Sequence, residues 1–153
     1  MSLIERVETA FGAGAPPVEP IVCAEYLRPN AQGDEGATEF FSGRPWQGLD
    51  ATMLRYHRAA MYMFTPRAHH YYLPAFILAS LDSPPEADDI RDLIIFHLSM
   101  YHDSFWWERI RLFDPAQCEV LAEFVVAVSD DIHRESGDTV RALAGLERAR
   151  RGV

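Results

Sequence analysis

The sequence predicts an all-α fold: a single domain, an orthogonal bundle of six or seven helices around a central, proline-kinked helix over about residues 66–81. Three observations carry this. The chain has 153 residues, 48% of them hydrophobic, which suits one domain with a real core. Helix caps recur along it, each followed by apolar residues at helical spacing. The stretch from Thr65 to Leu81 is apolar around nearly its whole circumference, so it must be enclosed by other elements.

Taken in order, Ser2 followed by Glu5 is a capping box and predicts a short helix through about Phe11. Gly12 to Gly33 is broken by glycines and prolines, leaving only a short extended piece near Ile21 to Tyr26, so residues 1–45 are expected to be partly irregular. Asp34 is the expected cap of a helix through Phe41, stopped at Gly43. Asp50 caps the next, with Met53, His57, Ala60 and Phe64 on one face and Arg55, Arg58 and Tyr62 opposite.

Thr65-Pro66 restarts the chain as a threonine cap with proline at the first helical position. Pro74 then removes the bond to the His70 carbonyl, a nominal cost of ~3 kcal/mol if uncompensated, so a water, a side chain or the neighbouring Tyr71 and Tyr72 must satisfy that carbonyl. A helix from about Ala87 to Met100 carries Ile90, Leu93, Ile94, His97 and Tyr101 on its apolar face, and a short aromatic helix covers Ser104 to Phe113. Asp114-Pro115-Ala116-Gln117 caps the clearest amphipathic helix, with Cys118, Leu121, Phe124, Val125, Val128 and Ile132 as one stripe and Gly137 as its end. Asp138 is the expected cap of a last, weakly amphipathic helix through about Arg150, in a segment 138–153 expected at the periphery.

The formal net charge is -9, and arginine supplies every side-chain cation, since lysine is absent. An acidic surface disfavours nucleic acid and anionic membrane and suits a basic protein partner. Cys23 and Cys118 are too few for a disulfide scaffold, no apolar run is long enough to span a membrane, and the start of the chain lacks the pattern of a secretory signal. A reducing cytoplasm is the expected compartment.

Chemistry is sparse. His57 and His97 each sit within an apolar helical face, the usual place of a core histidine. The sharper alternative is a metal-dependent enzyme or sensor, with His57 and His97 as ligands, His69 or His70 and an aspartate completing the shell, and Tyr71 and Tyr72 as acid/base phenols. Metal-binding, nucleophile and phosphate-loop motifs are all missing, so no cofactor and no catalytic residue is assigned. Two acidic groups stand out: Glu86, Asp88, Asp89 and Asp92, then Glu119, Glu123, Asp130, Asp131 and Glu135. They read either as solvated helix faces or as a surface for a basic cleft. Trp106 and Trp107 are neighbours that one helix face cannot both bury, and with Arg109 and Arg111 beside them they have the composition of an interface hot spot.

Thr65-Pro66, Tyr71-Tyr72-Leu73-Pro74-Ala75-Phe76 and Ala79-Ser80-Leu81, led in by Phe40-Phe41-Ser42-Gly43, Trp46, Leu49-Asp50, Leu54 and His57, resemble the uncharacterised bacterial family DUF6714. The resemblance covers about residues 1 to 128; His69, His70 and the helix after Gly137 depart from it. It implies a scaffold and no activity. Similar small acidic proteins accompany polymorphic toxins as immunity proteins, so the expected function is non-catalytic: an immunity protein or antitoxin that binds a cognate toxin with a basic surface. The expected contacts are Glu86, Asp88, Asp89, Asp92, Trp106, Trp107, Glu119, Glu123, Asp130 and Asp131, on a monomer or weak dimer.

Overall fold

Residues 1–12, 14–18, 20–27, 36–82 and 89–153 are described by a computed structural model. Among them the chain forms ten α-helices: α1 (Leu3–Phe11), α2 (Ala37–Phe41), α3 (Ala51–Tyr56), α4 (Ala60–Met63), α5 (Pro66–Leu81), α6 (Ile90–Ser99), α7 (Ser104–Ile110), α8 (Pro115–Val128), α9 (Asp131–Ser136) and α10 (Asp138–Arg151). A 3-10 turn covers Ala24–Leu27, and the only sheet-like pairing among the described residues is one antiparallel bridge between Val22 and Phe64. The fold is therefore all-α, as the caps predict. No helix of the described residues is long and apolar enough to cross a membrane.

The ten helices exceed the six or seven expected, and two of the additional ones arise because two segments break. The helix expected from Asp50 to Phe64 ends at Tyr56 and restarts at Ala60 as α4. The one expected to run to Gly137 ends at Val128, where both the backbone N–H and the hydroxyl of Ser129 bond the Val125 carbonyl. Asp130 then caps α9: its carboxylate accepts the His133 N–H at 3.0 Å, and His133 Nδ1 accepts the Asp130 N–H at 3.1 Å. This is a capping box closed by an imidazole instead of glutamate or glutamine. Ile132 thereby leaves the expected buried stripe and is 74% exposed. The cap expected at Asp34 lies outside the described residues, and Gly36 precedes α2 instead.

Most other caps form as the residue types require, but Asp138 does not cap α10: Gly137 is its N-cap, with no side-chain bond, and Asp138 is its first residue. Ser2 with Glu5 and Asp114 with Gln117 make reciprocal boxes, and Thr65 Oγ1 accepts the Ala68 N–H at 3.3 Å. From that cap α5 runs as one element through Pro74 and packs against α1, α3, α6 and α7. Tyr72 donates to the Phe41 carbonyl and to the Arg44 carbonyl at 2.7 Å, and Tyr71 donates to the Gly14 carbonyl at 3.4 Å. The two hydroxyls thus fasten the irregular N-terminal segment to α5.

The last helix is not peripheral. Ala142, Gly145, Leu146 and Ala149 are buried where α10 lies along α6 and α8. A Cβ on Gly145 would sit 2.9 Å from Tyr101 Cβ, so only glycine permits this approach. One hydrophobic core extends from Val7 through Ala149.

Candidate functional site

The first turns of α6, the start of α9 and the first residue of α10 meet around a groove of about 360 Å³. It is apolar at Leu93, Phe96 and exposed Ile132, and acidic along a rim of Asp92, Asp130 and Asp138. Phe96 is 40% exposed, so the apolar part is open to an incoming side chain. The two acidic groups of the sequence are joined here by buried His133, whose Nε2 lies 2.8 Å from Asp92 Oδ1, 41 residues away. Because Nδ1 accepts the Asp130 N–H, the ring is the Nε2–H tautomer and donates to Asp92. Both nitrogens are therefore occupied, and His133 acts as a clasp that fixes the rim. The His133 N–H, accepted by the Asp130 side chain, holds that carboxyl below the ordinary aspartate range.

The remaining expected contact residues divide. Asp89 precedes α6 and pairs with Arg58 at 2.9 Å; Asp131 adjoins the groove and lies 3.8 Å from Arg134. Glu119 and Glu123 are exposed on α8, away from the groove lining, and Glu123 pairs with Arg6 of α1. Glu86 and Asp88 lie outside the described residues. Trp106 belongs to the core: it is 7% exposed and stacks on the His97 ring at 4.0 Å. Only Trp107 is half-buried, with the Arg148 guanidinium 4.1 Å above its ring, beside a second groove that Arg111 and Leu112 help to line. Arg109 is no surface hot spot either. It is 1% exposed and donates to the Phe64 carbonyl at 2.7 Å, the Phe105 carbonyl at 2.5 Å and Cys23 Sγ at 3.3 Å.

The histidines separate into different environments. His57 stacks on Phe40 at 4.6 Å, whereas His97 lies among Trp106, Tyr62 and His69. The sequence pairs His57 with His97; the fold instead brings His97 to His69, with ring centres 6.3 Å apart. His70 bonds Gln117 Oε1 at 3.0 Å. Among the described residues no three of histidine, cysteine, aspartate and glutamate converge as a metal site. Burial pushes the Cys23 thiol up despite neighbouring Arg109, and pushes Cys118 to about 11, so both stay protonated near neutrality.

No family model matches the chain, and no curated protein or solved structure gives a significant match. What the site does is therefore read from its own chemistry.

Sequence reasoning did not find Phe96, Ile132, His133 and Asp138 as groove residues. Ile132 was hidden by the apolar stripe running on from α8, and His133 by a capping role ordinarily filled by glutamate or glutamine. An aspartate followed three residues later by histidine was the available signal.

Proposed function

We propose that this protein is a non-catalytic binding domain, an immunity protein or antitoxin of the cytoplasm, and that the groove between α6 and α9 receives a basic, apolar-tipped feature of a cognate toxin. One observation carries the reading: acidic residues from two distant segments, Asp92 and Asp130, are clasped by His133 around exposed Phe96 and Ile132. An arginine or lysine suits this composition, its aliphatic stem on the apolar part and its charge at the rim. Charge complementarity with a chain of net charge -9 speeds encounter and selects basic partners, while the apolar contacts slow release. A stable complex buries roughly 800 Å² on each partner, so the contact extends beyond the groove over the flanking acidic surface, including Asp89 and Asp131.

Co-expression with the product of the adjacent gene tests this. The expected result is a co-eluting complex and restored growth, both weakened by Ile132→Arg. A protein that neither binds nor rescues removes the reading.

A further inference from the structure

Three helices bring two imidazoles together in the aromatic interior. His69 of α5 and His97 of α6 are each 2% exposed, and Trp106 of α7 stacks on the latter at 4.0 Å. Among the described residues, none of their four ring nitrogens has a hydrogen-bond partner. Buried polar atoms in folded proteins are almost always satisfied, by protein groups or by ordered water. Four such atoms on two neighbouring, mutually tilted rings point to an occupant between them.

The separation decides what kind. Two imidazoles joined by a direct N–H···N bond have ring centres at most about 5.5 Å apart, from ring bonds near 1.3–1.4 Å and an N···N distance up to about 3.2 Å. The centres of His69 and His97 are 6.3 Å apart, beyond that reach. An oxygen about 2.8 Å from one nitrogen of each ring spans this distance when its two arms meet near the tetrahedral angle.

Hydrogen-bond chemistry narrows it further. A neutral imidazole offers one N–H and one lone pair, so satisfying all four ring nitrogens takes an occupant that both accepts and donates. An anion only accepts. A metal cation takes lone pairs only, finds no third histidine, cysteine or carboxylate here among the described residues, and adds positive charge to a site whose rings already feel Arg109. A neutral molecule that both donates and accepts meets all of these conditions. We propose that His69 and His97 form an internal hydration site in which at least one water molecule bridges the two rings at the junction of α5, α6 and α7. It accepts the N–H of one ring and donates to the lone pair of the other. The surrounding Tyr62, Trp106 and Phe113 meet the two imidazoles through ring contacts, and the bridge supplies the polar link.

Diffraction from crystals of the wild-type protein to about 1.2 Å tests this. The expected result is a density peak about 2.7–3.1 Å from one nitrogen of each ring, with no anomalous signal and no stoichiometric metal by elemental analysis. In solution, ¹⁷O relaxation dispersion should lose the amplitude of at least one long-lived water when His69 and His97 are both changed to Phe. Should that variant fail to fold, the wild-type density still decides. Stoichiometric metal, rings rotated into a direct bond, or no ordered density between them would each overturn the proposal.

Discussion

Two histidine environments divide this molecule. His133 lies under a charged rim with both nitrogens bonded within the protein, whereas His69 and His97 lie in an aromatic interior with none bonded among the described residues. The first ring holds two distant segments in register and faces a groove. The second pair is enclosed by the core and does not reach the surface. Burial alone therefore does not mark a functional histidine here; what matters is what its nitrogens fix, and how near the fixed groups are to solvent.

The largest expected effect lies with the interior pair. Burial, with Arg109 nearby, lowers the His97 pKa from 6.5 to about 3 and lowers that of His69 well below its ordinary value. The unfolded rings take up protons near 6.5 and the folded ones far lower, so the unfolded state binds more protons in between. Stability is then full above about pH 6.5 and falls on acidification toward 3, by on the order of several kcal/mol. Urea unfolding measured from pH 7.5 to 4 should show this slope, and His69→Phe with His97→Phe should flatten it. A slope that survives unchanged would place the acid sensitivity elsewhere.

Second comes Gly145, which lets α10 lie against the same α6 that carries both His97 and Asp92. Gly145→Val forces a side chain into Tyr101 and should cost about 1–3 kcal/mol, read as a lower urea midpoint. His133→Ala is expected to cost about 1–2 kcal/mol, since it opens the α9 capping box and removes a hydrogen bond to Asp92. If His133→Ala were as damaging as emptying the interior pair, the contrast between clasp and core would fail. Smallest is Ile132→Arg, which should change stability by no more than about 0.5 kcal/mol because the side chain is 74% exposed.

How much of this was legible in the sequence follows from locality. Caps are local, so Ser2 with Glu5, Thr65-Pro66 and Asp114 with Gln117 announced their helices. The break at Ser129-Asp130 was not announced, because an imidazole replaces the usual glutamate or glutamine and the apolar spacing runs on through Ile132. Adjacent Trp106 and Trp107 show that only one can be fully buried; which one depends on α7 turning Trp106 toward His97. The acidic groups were visible, but their meeting was not, since it depends on α10 lying along α6 and setting α9 beside it. Asp92 and Asp130 come together there while Glu119 and Glu123 remain on the flank of α8.

The central claim is that the α6–α9 groove is the binding surface. Its most direct test is the affinity of the purified cognate toxin for wild-type protein and for Ile132→Arg, by calorimetry, with thermal unfolding of both recorded alongside. The groove reading predicts at least a tenfold weaker complex, about 1.4 kcal/mol, at an unchanged unfolding temperature. Equal affinity for the two proteins would contradict it.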